Sequence, residues 1–103
     1  MNSILSLLGL AQRAGKLVSG EDAVEAAIRR DKVHLLIIAA DASGNTQTKF
    51  ENMAKYRDID FAVWGEKEQL GMAIGKARRA IIGVTDRGFA KAIHSRLAVE
   101  EKN

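Results

Sequence analysis

With 103 residues, 47% hydrophobic and 28% charged, the chain is sized for a single domain (residues 1–103) around one core, and it is too apolar to be disordered. The lack of cysteine excludes disulfides, thiol catalysis and thiolate zinc sites. A net charge of +3 and a pI near 9.5 make the chain mildly basic, so the distribution of its charges says more than their sum.

Ile4, Leu5, Leu8 and Ala11 recur at helical spacing and predict a first helix over 3–13, ending near Gly15. Its apolar run is short, no basic segment precedes it, and Gln12-Arg13 follows where a cleavage site would lie, so no secretory signal is expected. No stretch reaches the length of a membrane span, so a soluble, cytoplasmic protein is expected, with no membrane partner. Leu17-Val18 is a short strand candidate. Ser19 is predicted to cap a second helix, with Asp22 completing an imperfect capping box. Ala23, Val24, Ala27 and Ile28 form its apolar stripe, opposite Glu21, Asp22, Glu25 and Arg29.

Val33–Ala40 is almost wholly apolar, as expected of a strand covered on both faces. Thr48–Tyr56 reads as a third helix with Phe50, Met53 and Ala54 inward, and Asp60–Trp64 as a strand ended by Gly65. A short helix, Glu66–Ile74, is built around Leu70, Ala73 and Ile74. Ala80–Val84 is a second buried strand. Thr85 or Asp86 then caps a last helix with Phe89, Ala92, Ile93 and Leu97 on one face.

Alternating strands and helices predict an α/β sandwich with helices on both faces of a largely parallel sheet. Loops after parallel strands gather at one edge, where ligands of such sheets bind. The Asp41–Thr46 loop should therefore share an edge with the start of another helix. Both Ser19-Gly20-Glu21-Asp22 and Asp41-Ala42-Ser43-Gly44-Asn45-Thr46 open helices, whose unpaired N–H groups suit anions. Lys76, Arg78, Arg79, Arg87, Lys91 and Arg96 cluster late in the chain against the single acid Asp86. Arg13 and Lys16 likewise lack an acidic neighbour in the first twenty residues. Such clustering marks either a polyanion-binding surface or a solvated basic face.

No catalytic set emerges. Gly71-Met72-Ala73-Ile74-Gly75-Lys76-Ala77 is one residue too short for a P-loop, follows a helix instead of a strand, and lacks the hydroxyl that would hold magnesium. His34 and His94 are not at metal-ligand spacing and read as packed or surface histidines. Asp41 suits a turn or cap, and Ser19 and Ser43 suit caps before nucleophiles. Neither a metal nor another cofactor is expected. Phe50, Tyr56, Phe61, Trp64 and Phe89 are assigned to core packing, not to a base-stacking platform.

Several motifs in order carry a family resemblance: Gly9-Leu10-Ala11-x-Arg13-Ala14-Gly15-Lys16, Ser19-Gly20-Glu21, Leu36-Ile37-Ile38-Ala39-Ala40-Asp41, Asp41-Ala42-Ser43-x-Asn45-Thr46, Leu70-Gly71-x-Ala73-x-Gly75 and Gly83-Val84-Thr85-Asp86-x-Gly88-Phe89-Ala90. From Leu8 to Ile93 the chain resembles the ribosomal seven-Ae family of kink-turn RNA-binding proteins, especially its small bacterial members. The resemblance implies a three-layer α/β/α sandwich around a mixed four-stranded sheet. It also implies an RNA surface along one edge, carried by position onto Ser19–Ala26, Asp41–Lys49 and Gly75–Arg79. Within these segments Ser19, Gly20, Glu21, Asp22, Ser43, Asn45, Thr46, Lys49, Lys76, Arg78 and Arg79 are the candidate contacts, with Lys76, Arg78 and Arg79 as mobile cations and Arg13 and Lys16 flanking them.

Kink-turn binders follow the helix-opening glycine with Asn or Lys, then Glu or Gln, then Lys. Here those positions hold Asp22, Ala23 and Ala26. General affinity for structured or ribosomal RNA is therefore expected over kink-turn base reading, with the ribosome or translation factors as further partners. The alternative is a protein-interaction module whose RNA face has been redirected, since Glu21, Asp22 and Glu25 beside exposed arginines suit a mixed-charge partner. A small-nucleotide enzyme ranks last.

Overall fold

A computed structural model of the protein describes residues 3–102, with side-chain surroundings for 3–100; Met1, Asn2 and Asn103 of the expected 1–103 domain lie outside the described residues. In chain order the elements are α1 (Ser3–Arg13), β1 (Leu17–Ser19), α2 (Glu21–Arg29), β2 (Leu35–Ile38), α3 (Gly44–Arg57), β3 (Asp60–Val63), α4 (Lys67–Ala73), β4 (Ile81–Val84) and α5 (Arg87–Lys102). The four strands form one sheet in the order β1-β4-β2-β3.

The sheet is mixed, which corrects the largely parallel arrangement expected from alternation and agrees with the family resemblance. Only β2 and β3 are parallel, whereas β4 is antiparallel to both β1 and β2. The reason lies in the link after β3. Helix α4 has seven residues, and the chain folds straight back, so that Arg79 N–H donates to the Lys67 carbonyl at 3.0 Å. The chain has thus returned to the start of α4, at the end where β2 stops. Ile81 pairs with Ile38 there, and β4 must run the other way. The fold-back is tight: a Cβ on Gly71 would collide with the Ala77 carbonyl.

Leu35–Ile38 and Ile81–Val84 are buried throughout, since helices cover both sides of these central strands. Helices α1, α4 and α5 pack together on one side. On the other, α2 and α3 are tied by a Lys49–Glu25 ion pair and by Arg57 donating to the Ile28 carbonyl. Ile4, Leu8, Val24, Ile28, Phe50, Leu70 and Ile93 complete the core between these layers.

Local structure corrects several sequence expectations. Ser19 does not cap α2 but ends β1, and the capping position belongs to Gly20 (φ 91°, ψ 151°), with no side-chain bond. Helix α3 begins at Gly44, well before Thr48, because Ser43 caps it. Asp86, not Thr85, caps α5, its carboxylate accepting from Phe89 N–H at 2.8 Å. Ala23 and Ala92 are exposed, one step off stripes centred on Val24, Ala27 and Ile28 and on Ile93 and Leu97. Tyr56 is 87% exposed, not core: six residues beyond buried Phe50, it points away from the sheet at 3.6 residues per turn.

Candidate nucleic-acid interface

The ends of β1 and β2 and the start of β4 meet at one end of the sheet, as their pairing of Ser19 with Ile82 and of Ile38 with Ile81 requires. The loops leaving these strands enclose a cleft of about 340 Å³ lined by Gly20, Glu21, Ala42, Ser43, Thr46, Lys67, Arg78, Arg79 and Ala80. The expected sharing of an edge between the Asp41–Thr46 loop and another helix start is therefore observed.

Each wall is held by specific bonds. Gly20 N–H donates to the Ile81 carbonyl at 3.0 Å, anchoring the start of α2 to β4. Its backbone lies in a region reserved for glycine, so the turn from β1 into α2 needs that residue. Ser43 Oγ accepts from Thr46 N–H at 3.1 Å and donates to Thr46 Oγ1 at 3.0 Å. Thr46 Oγ1 in turn lies 3.4 Å from Glu21 Oε2, placing the N-termini of α2 and α3 side by side. Gln47 Nε2 donates to the carbonyls of Ala40 and Ala42, which stiffens the intervening loop. Asp41 accepts from Lys67 N–H at 2.8 Å, tying the loop after β2 to the first residue of α4, whose capping position is Glu66.

The cations divide by how firmly they are held. Arg79 donates through Nε to Ser19 Oγ at 3.1 Å and through Nη1 to the carbonyls of Ala77 and Arg78. It is a fixed part of the wall, not the mobile cation expected. Arg78 is exposed, with no side-chain bond or ion pair among the described residues. Lys67 adds a third cation to the cleft. Sequence reasoning missed it because a lone lysine opening a short helix carries no motif; Gln47, also missed, shows only as a polar residue four positions after its cap.

Other candidates fall outside the cleft. Lys76 is exposed just beyond the end of α4, with its N–H on the Gly71 carbonyl. Asn45 and Asp22 are exposed on the first turns of α3 and α2. Lys49 pairs with Glu25 at 2.9 Å, and Arg29 contacts the same carboxylate at 2.6 Å. The Lys49 hydrogen bond, helped by the charges of Lys49 and Arg29, holds Glu25 below the usual carboxylate value. The same bond raises Lys49. Arg13 and Lys16 do not flank the cleft. Arg13 lines a groove between α1 and α4, and Lys16 sits at the opposite end of the sheet, its carbonyl accepting from Thr85 N–H. β1 runs from Lys16 toward the cleft, so the two ends of this three-residue strand face opposite ways.

The cleft can hold anionic groups on free helix N–H donors and cations, and its rim carboxylates accept hydrogen bonds. Among the described residues no group of three His, Cys, Asp or Glu could hold a metal ion. No helix among them is long and apolar enough to cross a membrane.

A three-layer sandwich with this sheet order and two helix starts at one end of the sheet defines a class of small α/β binding domains. The chain belongs to the Ribosomal protein L7Ae/L30e/S12e/Gadd45 family, which it matches over residues 2–94. It is 42% identical over 91 residues to the RNA-binding protein YlxQ of Bacillus subtilis (strain 168), covering 88% of this chain and 91% of that protein. It is also 42% identical over 88 residues to the RNA-binding protein YlxQ of Enterococcus faecium, covering 84% of each. A solved protein of unknown function from Bacillus halodurans C superposes with a TM-score of 0.92 at 38% identity, over 95% of this chain and 99% of that one. The Giardia lamblia 15.5kD RNA binding protein shares the fold, with a TM-score of 0.80 at 18% identity over 96% of this chain and 85% of that one.

Proposed function

We propose that the chain is a non-catalytic, cytoplasmic RNA-binding protein that holds structured or ribosomal RNA in the cleft at the end of the sheet. The observation that carries the proposal is the convergence of two helix N-termini with Arg78, Arg79 and Lys67 around one cleft. Free N–H groups at the positive ends of α2 and α3 receive phosphate oxygens, and Arg78 supplies a flexible counter-charge. Glu21 and Asp22 repel phosphate but accept hydrogen bonds from base amino groups or 2′-hydroxyls, so they orient RNA while the cations attract it. Asp22, Ala23 and Ala26 replace the side chains that read kink-turn bases, so binding follows backbone shape more than that motif. Both YlxQ relatives are named as RNA-binding proteins, which supports the same ligand. The ribosome or its translation factors are the expected setting.

The acids on the rim support one second reading, a protein-interaction module on the same fold. Ultraviolet crosslinking in cells, with sequencing of the bound RNA and mass spectrometry of the crosslinked peptides, separates the two. RNA joined to peptides spanning 41–49 and 77–80 is expected. Recovery of a protein partner with no RNA would overturn the proposal.

A further inference from the structure

Of the six late basic residues only Arg78 and Arg79 line the cleft. Because β4 runs antiparallel to β1 and β2, Arg78 and Arg79 enter it at the cleft end, while Thr85 and Arg87 leave it at the other. At that far end Thr85 N–H donates to the Lys16 carbonyl at 2.9 Å and His34 N–H to the Val84 carbonyl at 2.8 Å. The first turns of α5 close a hollow of about 270 Å³, lined chiefly by His34, Asp60, Arg87, Lys91 and His94 over a floor of Leu35 and Ala90. Lys16 borders the same end through Thr85, and Lys32 through the segment leading to His34.

The charges there are unspent. Lys16, Lys32, Arg87 and Lys91 are all exposed, and none forms an ion pair or side-chain hydrogen bond among the described residues. Of the acids nearby, Asp31 pairs with Arg57 at 3.3 Å, and Asp86 accepts from Phe89 N–H but keeps its charge. Asp86, Asp60 in the hollow and Asp58 at the end of α3 keep their charges, against four free cations and two imidazoles. Lysine and arginine on flexible stems suit backbone phosphate and not a base pocket.

We propose that this far end is a second RNA-phosphate surface, so that one molecule joins two RNA segments. The inference takes RNA as the ligand from the proposed function but concerns a separate site. The molecule measures 32 × 29 × 26 Å, whereas charges are screened beyond about 8 Å at physiological salt, so the two ends attract RNA independently.

The test uses purified ribosomal RNA immobilised by one end, saturated with the protein, washed, and offered a fluorescent pool of ribosomal RNA fragments. Wild type should capture the second RNA. The Arg87→Ala/Lys91→Ala double variant should lose about tenfold in capture with unchanged melting, and the salt slope of binding to the second RNA should fall by roughly 1.4–1.8 for the two lost contacts. Binding of the first RNA should stay intact in this variant, whereas Arg78→Ala should weaken it. Equal capture by the double variant would overturn the second site, as would wild-type protein that binds the first RNA but captures no second. Titrated inorganic phosphate that shifts the His34 and His94 NMR signals, with RNA failing to compete, would mark a small-anion site and also overturn it. An acidic protein recovered on Arg87 and Lys91 in place of RNA counts equally against it. Wild type that binds no RNA at all would instead refute the proposed function, and the bridge with it.

Discussion

Arg78→Ala is the cleanest perturbation of the proposed interface, because it removes an exposed guanidinium from the cleft rim and breaks no side-chain bond. If Arg78 neutralises one phosphate, the slope of log affinity against log salt should become shallower by about 0.7–0.9. Over a rise from about 50 to about 200 mM salt, that contact accounts for roughly a threefold difference in affinity. Lys76→Ala should leave the slope unchanged, since Lys76 lies outside the cleft. Arg79→Ala should lower both affinity and melting temperature, because it also removes bonds to Ser19, Ala77 and Arg78. Fluorescence anisotropy with a labelled ribosomal RNA fragment across a salt series reads the slopes, and thermal melting reads the fold. An unaltered slope in Arg78→Ala, or an equal loss in Lys76→Ala, would refute the assignment.

Ser43→Ala should cost about 1 kcal/mol in denaturant unfolding by removing the cap of α3, whereas Ser19→Ala leaves the capping of α2 intact and only frees Arg79 Nε. Gly20→Ala should destabilise by about 1–3 kcal/mol, since its positive φ is strained for any side chain despite open space around it; a smaller loss would mean that the turn relaxes. The Lys49 bond depresses Glu25, so its contribution is present above the ordinary carboxylate value of 4.5 and disappears as pH falls through its lower folded value. The melting difference between wild type and Glu25→Gln should therefore be constant near neutrality and vanish in strong acid. A difference that persists unchanged at about pH 2, or is already gone near pH 6, would contradict that linkage.

Much of the fold was legible from local chemistry. Leu35–Ile38 and Ile81–Val84 announce central strands because continuous apolar, largely β-branched runs must be covered on both faces. Ser43 and Asp86 announce helix starts because a short acceptor side chain satisfies an otherwise unpaired N–H. Ser19 misled for the same reason. It has the right chemistry, but its hydroxyl is occupied by Arg79, sixty residues away, and the positive φ of Gly20 makes the turn instead.

Periodicity and capping are short-range properties, so the sequence by itself determined which segments become strands and helices and where most of them begin. Strand direction and the sharing of ends were decided only in the tertiary structure. The seven-residue α4 and its fold-back reverse β4, and that one reversal sends Arg78 and Arg79 to the cleft while carrying Arg87 and Lys91 to the opposite end. A basic cluster continuous in sequence thus becomes two surfaces in space, because charges close along a chain separate once a strand runs between them.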